Sequence, residues 1–344
     1  MRATNCISLI LILIIMNTIF NSYNGNNVLP LYREIPVHVK SNRKPFVEFI
    51  NEYIQRKHVS KVSHVAYKSI GIHISNYCRK FKLQEPYTDD IGIDFTENFV
   101  YYLRNDCNLM LNTVVGMLEK LRALLGKATL YGYPIDNTFR EVKIKAEESK
   151  AVYLPEDEIL KIYFHKGLKN KEEIVRDYFV IACLTGLRFS DFSRLEKSHF
   201  RDSNTVIRIK TKKTGKIVHI PVDKYVLEIF EKYDWILPKC PCVQSFNKRI
   251  QSVCRKIGLN EEVISERTKG MDVITIRKSK WELIGSHTGR RSFATNMYKA
   301  GFMVAEIMGI TGHTAEKTFF KYILFSNESV VRSMINHPYF RRNI

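Results

Sequence analysis

Apolar residues recur at helical spacing through the first part of the chain. In PFVEFINEYIQRK, Phe46, Phe49, Ile50 and Tyr53 fall on one face, and in KVSHVAYKSIGIHISNYCRKF the set is Val65, Tyr67, Ile70, Ile74 and Tyr77 among lysines and arginines. LQEPYTDDIGIDFTENFVYYLRN then supplies a turn, an acidic helix start and another amphipathic helix, and LNTVVGMLEKLRALLGKATLYG runs on to Gly132. The pattern from about Pro45 to Glu147 predicts a strand-poor bundle of four or five helices. A helical bundle alone names no activity.

Residues 140–151, REVKIKAEESKA, are charged and lack an apolar stripe, so they read as a linker between two domains. Beyond it, YLPEDEILKIYF predicts a helix, with Pro155 in the first turn and Glu156, Asp157 and Glu158 complementing the helix dipole. Its expected buried stripe is Ile159, Leu160, Tyr163 and Phe164. Residues 171–186 predict an apolar helix buried on several sides and ending at Gly186, followed by a short helix near Ser190 or Asp191. TVIRIKTKKTGKIVHIPV is the one clear strand pair, two β-branched runs joined by a lysine-rich turn at Thr214-Gly215. Helices from about Asp223, Val243 and Ser286 complete the chain. The fold class predicted is mainly α in two domains: a helical bundle over 43–147, and a mainly α domain with a small antiparallel sheet over 151–338.

Composition narrows the partners. The chain has 344 residues, enough for two cores, and 54 Lys and Arg against 35 acidic residues leave a net charge of +19. Such an excess favours a polyanion, because neutralised phosphates release counterions. Lys61, Lys68, Arg79, Lys80 and Lys82 in the bundle fit that role or a merely solvated face. Seven scattered cysteines read as reduced thiols of a cytoplasmic protein, not a disulfide framework. Cys240-Pro-Cys242 is too closely spaced for a zinc knuckle, and no histidine lies between His219 and His287. Residues 1–28 form an apolar N-terminal extension. Its core at 7–16, ISLILILIIM, has no small-residue cleavage site after it and is short of the ~20 residues that span a bilayer. Three readings stand: a true start at Met16, an apolar helix packed on the body, or a membrane segment.

Candidate chemistry gathers in the last third. His287 and Arg290 stand three apart in SHTGRRSFAT, His313 follows Gly312 in TGHTAEKTFFKY, and Tyr322 lies nine residues beyond His313. Upstream, Arg188 in CLTGLRFSD is delivered from the end of a helix. Two guanidinium groups offer paired donors to phosphate oxygens and stay charged, and a phenol with a pKa of ~10 needs such cations to act as a nucleophile. His287 could bind the phosphate or take the tyrosine proton. His313 could donate to a non-bridging oxygen or cap the preceding helix, and Asp191 could orient an arginine or cap its own helix.

The ordered set Arg188, His287-x-x-Arg290, Gly312-His313, Tyr322 resembles the tyrosine recombinase (phage integrase) family of site-specific DNA recombinases, over roughly residues 150–335. The resemblance implies a SAM-like helical core-binding domain ahead of the catalytic domain. It implies attack by Tyr322 on a scissile phosphate, a 3′-phosphotyrosyl intermediate, and rejoining with a 5′ hydroxyl of another strand, with no cofactor, neither ATP nor metal. It also implies a general-acid lysine in the hairpin turn. Lys213 matches that position best, with Lys210, Lys212, Lys216 and Arg291 as DNA contacts. Partners expected on the same ground are double-stranded DNA with inverted-repeat sites, a homotetramer on that DNA, and accessory DNA-bending or directionality proteins. The tail LFSNESVVRSMINHPYF suits a helix on a neighbouring protomer or on its own domain. A type IB topoisomerase-like enzyme, a catalytically inactive DNA-binding protein and a membrane-anchored basic protein are the alternatives.

Overall fold

The computed structural model describes residues 43–324, apart from 57, 58 and 149, together with Ile335. The apolar run at 7–16 and the expected tail helix lie outside the described residues. No helix among the described residues is long and apolar enough to cross a membrane.

Four helices form the first unit: α1 (Phe46–Arg56), α2 (Lys61–Phe81), α3 (Ile93–Asn105) and α4 (Leu111–Leu130). Their inward faces make one buried cluster, in which Phe46, Ile50, Ile70, Ile74, Leu121 and Leu124 are fully enclosed. The α1 stripe is where the spacing placed it. On α2 the buried face is Ile70, Ile74, Tyr77 and Cys78, whereas Val65 is 68% exposed. Lys61, Lys68, Arg79, Lys80 and Lys82 are all exposed, and Lys80 pairs with Asp106.

The second cluster is built around α6 (Asn170–Thr185), buried from Val175 to Cys183 along nearly its whole circumference. Packed on it are α5 (Glu156–Phe164), α8 (Lys224–Lys232), α9 (Val243–Lys256) and α10 (Ser286–Lys299), and its C-terminal end leads into the short α7 (Phe189–Phe192). On α5 the buried residues are Ile159 and Ile162, which corrects the expected stripe. Leu160 and Tyr163 are only partly covered, and Phe164 is 60% exposed, stacked edge-on with Tyr163 and Tyr225 at the surface. Gly289 explains the closeness of α10 to α6: a Cβ there would stand 2.9 Å from Ala182 Cβ.

The predicted strand pair is present as β2 (Val206–Lys210) and β3 (Ile217–Pro221), joined by β1 (Phe200–Arg201) into a three-stranded antiparallel sheet. Ile207 faces Ile220 and Ile209 faces Val218, all buried. A second antiparallel hairpin, β4 (Glu262–Lys269) and β5 (Asp272–Ser279), was not expected from the sequence. Its tip docks on the helical unit, where Gly270 N–H donates to Leu109 O (2.9 Å) and Arg104 Nε to Gly270 O (3.1 Å). The charged segment before Lys150 runs between them. Glu147 exchanges hydrogen bonds with Asn112 and accepts from Thr268 N–H (2.9 Å), and Arg267 donates to Glu148 O. The last elements among the described residues are α11 (Val304–Thr311), α12 (Glu316–Phe319) and a 3-10 turn at Phe320–Tyr322.

Candidate active site

Helix α10 is the rail on which the site is assembled. One side holds the start of the second unit: Arg291 Nη1 donates to Val152 O (3.1 Å), Ser292 Oγ accepts from Leu154 N–H (2.8 Å) and Asn296 Nδ2 donates to Leu154 O (3.0 Å). Another carries His287 and Arg290 toward the ends of α6 and α11. Arg290 is 1% exposed. Its Nη1 donates to Gly186 O (2.8 Å), at the left-handed C-cap of α6, and its Nη2 to Thr311 O (2.6 Å) at the end of α11. One guanidinium thus fixes two helix ends that lie far apart in sequence.

Arg188 enters from the α6 end, half-buried, with Nη1 lacking a partner among the described residues. Arg290 Nε is likewise buried and unpartnered. Burial and then the Arg188 charge push the Arg290 pKa down to about 10, while Tyr322 and Asp191 act the other way, so it remains a cation at neutral pH. Two like charges held together with unused donors leave room for an anion.

His313 is 8% exposed. The cap of α11 uses backbone only: Gly312 takes the left-handed conformation, and the N–H groups of Gly312 and His313 both donate to Met308 O (2.8 and 3.1 Å). The imidazole is therefore free for the site. Thr311 Oγ1 donates its proton to Ile307 O (2.7 Å), so its 2.8 Å contact with His313 Nδ1 requires Nδ1–H as donor. Arg290 Nη2 lies 3.4 and 3.1 Å from Nδ1 and Nε2. With Nδ1–H given to Thr311, the shorter contact is the one that can be a hydrogen bond, Arg290 Nη2 donating to the lone pair of Nε2. Burial first, then Arg290 and Arg188, pull the His313 pKa down to about 4, so the ring is neutral and Nε2 carries a lone pair. Tyr322 completes the group, its ring centroid 4.9 Å from that of His313 and 5.6 Å from Arg290 Cζ.

His287 stands at the rim. Solvent reaches the ring, yet crowding by protein lowers its pKa, helped by Arg291, Arg290, Arg188 and Lys213. It too is neutral near pH 7. Lys213 is exposed in the β2–β3 turn, close enough to be felt by His287, and Lys210, Lys212 and Lys216 are exposed around it. Asp191, fully buried, holds that turn: Oδ1 accepts from Lys212 N–H (2.8 Å) and Arg194 Nη2 (3.2 Å), and Arg194 also donates to Lys210 O. This corrects the capping role, since the N-cap of α7 is Arg188 and no side chain caps that helix. Arg291 is turned to Val152 O, with its Nε buried and unpartnered among the described residues. Sequence reasoning passed over Arg194, Thr311 and Thr295. Of these only Thr311, beside the Gly-His turn, carried a local signal.

Residues 153–328 match the phage integrase family and residues 45–145 the phage integrase SAM-like domain. Solved structures agree in fold. The Tn1549 transposon integrase (residues 82–397) in complex with circular intermediate DNA superposes with a TM-score of 0.59 at 15% identity, covering 85% of this chain and 99% of that one. XerH site-specific recombinase bound to palindromic difH substrate gives 0.61 at 16% identity, covering 84% of each chain. A lambda integrase dimer bound to a COC′ core site gives 0.58 at 16%, covering 89% and 84%. A search of curated protein sequences finds no match.

Proposed function

The chain belongs to the phage integrase family, and from that premise we propose that it is a site-specific DNA recombinase that cleaves and rejoins DNA through a phosphotyrosine on Tyr322. The observation that carries this reading is the grouping of Tyr322 and His313 with two arginines, each with a buried N–H donor that has no partner among the described residues. Tyr322 Oη attacks phosphorus as the bond to the 5′ oxygen breaks. Neutral His287 takes the phenolic proton, and Lys213 gives one to the departing 5′ oxygen. Arg188 and Arg290 stabilise the charge that builds on the non-bridging oxygens. His313 Nε2 becomes a third donor only after taking a proton, which the phosphate favours by offsetting the two arginines. Rejoining reverses the sequence: a 5′ hydroxyl from another strand attacks, Lys213 accepts its proton and the protonated imidazole of His287 returns one to the leaving phenolate. The bond energy is kept in the phosphotyrosine, so no ATP is consumed.

Exchange between two duplexes calls for four such sites, hence a homotetramer on paired inverted-repeat sites, with DNA-bending or directionality proteins as the partners that bias the outcome. The net charge of +19 and the exposed lysines of α2 and the β2–β3 turn support a phosphate-lined path. The test uses nicked duplexes tiled across the DNA flanking the gene, incubated with wild type and Tyr322→Phe and resolved on a denaturing gel. A covalent adduct with wild type alone is expected. Tight binding with no adduct on a duplex shown to contain the site would favour the DNA-binding alternative, and an adduct with Tyr322→Phe would move the nucleophile elsewhere.

A further inference from the structure

Several helical Ser and Thr hydroxyls in this chain turn back to the carbonyl four residues earlier, although not all do, Ser252 donating to the Glu172 carboxylate (2.9 Å). Thr185 donates to Ile181 O (2.6 Å), Ser292 to Thr288 O (2.8 Å) and Thr311 to Ile307 O (2.7 Å), the usual local bond for such residues. Thr295 departs from this habit. It is fully buried on α10, five residues beyond Arg290, and its Oγ1 is directed across to the segment that carries Tyr322. There it donates to Tyr322 O (3.1 Å) and accepts from Leu324 N–H (3.2 Å). One hydroxyl thereby satisfies the two backbone groups that bracket the Tyr322–Leu324 turn. The apolar contacts of Phe319, Tyr322 and Ile323 with Phe293 and Ile307 hold the same segment without fixing its register along α10.

We propose that Thr295 is a positioning residue for the nucleophile: its hydroxyl sets the Tyr322 backbone on the helix that also carries Arg290, so that the phenol is delivered to the arginine pair of its own chain. This rests on the proposed reaction of Tyr322. A β-branched residue is suited to the task, because its restricted χ1 keeps the hydroxyl aimed in one direction. The hydroxyl does not touch the reacting atoms. It acts through the placement of Tyr322, where displacement by about 1 Å can cost on the order of 100-fold in rate.

The experiment compares Thr295→Val, which keeps shape and removes both hydrogen bonds, with Thr295→Ser, which keeps the hydroxyl. On a saturating nicked duplex, Thr295→Val is expected to form adduct about 10- to 100-fold more slowly, with DNA affinity unchanged and Thr295→Ser close to wild type. A Val variant as fast as wild type, or a Ser variant as slow as Val, overturns the proposal. Hydrogen exchange at the Leu324 amide is read in parallel. Protection is expected in wild type and Thr295→Ser and not in Thr295→Val, and equal protection in all three overturns the proposal without reference to catalysis. If wild type binds DNA and forms no adduct, the reaction assigned to Tyr322 fails, and the exchange result alone decides whether Thr295 holds the segment.

Discussion

The two hairpins of the second unit are built alike and used differently. β2–β3 buries one face, with Ile207, Ile209, Val218 and Ile220 in the core, and leaves its lysine-rich turn projecting at the rim of the candidate site. Asp191 and Arg194 steady that turn from below. β4–β5 has no fully buried residue on either strand, and its tip is held by the Arg104 side chain of α3 and by the backbone of Leu109 in the loop that follows α3. A hairpin anchored at its base and free at its tip presents chemistry. One gripped at its tip joins two units.

The largest effect should come from the projecting turn. Lys213→Ala is expected to slow adduct formation by about 10²- to 10⁴-fold while DNA binding stays nearly unchanged, one exposed cation among many being lost. A substrate with sulfur in place of the bridging 5′ oxygen should restore most of the rate, because a thiolate leaves without a proton. If Lys213→Ala is silent and Lys212→Ala or Lys216→Ala is not, the proton donor lies elsewhere on the same turn. An oxygen substrate and a sulfur substrate that suffer equally would remove the general-acid role from this hairpin altogether.

A smaller effect, of a different kind, is expected at the other tip. Gly270 has φ +61°, and a Cβ there would stand 2.5 Å from Asn108 Oδ1 and 3.1 Å from Arg104 O. Gly270→Val should therefore lift the hairpin off the helical unit at a cost of about 1–3 kcal/mol. The measurement is limited proteolysis of the segment around residues 143–151, which should be cut faster, alongside the adduct rate at saturating DNA, which should stay within a few-fold. Unaltered cleavage of that segment would mean that the contact does not join the units.

The two hairpins also mark where sequence reasoning reached and where it stopped. β2–β3 was legible because burial on one face forces strict alternation. In β4–β5, Val263, Ile264, Val273, Ile274 and Ile276 fall on both faces, and the order comes from Leu109 and Arg104, more than 150 positions away, so no local pattern records it. The same division runs through the site. His287, Arg290, His313 and Tyr322 stood out because short spacings on neighbouring elements carry them. Gly186 O, Thr311 and Thr295 act through contacts set by packing, and the Arg290 to Gly186 bond spans 104 residues. Phe164 and Val65 were assigned to buried faces since apolar character and spacing agreed, but Val65 stays exposed and the rings of Tyr163 and Tyr225 cover only part of Phe164.

The smallest expected effect separates the hairpins by pH. His313 lines a cleft together with Lys216 and the first residues of β3, whereas no histidine lies in β4–β5 or in the residues that hold its tip. Its folded pKa of about 4 is below the ordinary 6.5, so between these values the unfolded chain binds a proton that the folded protein refuses. The stability that comes with a neutral His313 is complete above pH 6.5 and is lost as pH falls toward 4, with a slope no steeper than about 1.4 kcal/mol per pH unit for one proton. His287, lowered for the same reason but more exposed, adds a lesser contribution of the same sign. Carboxylates such as Glu172 and Glu173, held low by Lys256 and Lys232, enter only in more acid solution, so the histidine effect is read from pH 6.5 down to about 5. Melting of wild type should fall across that interval and melting of His313→Gln should fall less, with proteolysis near residues 143–151 unchanged in both. A saturating DNA duplex should flatten the wild-type slope, because a phosphate beside Arg188 and Arg290 lets His313 hold its proton in the folded state. Equal slopes for the two proteins would mean that His313 takes up its proton as readily in the folded protein as in the unfolded chain, and the assignment of a neutral imidazole down to about pH 5 in the free protein would fall.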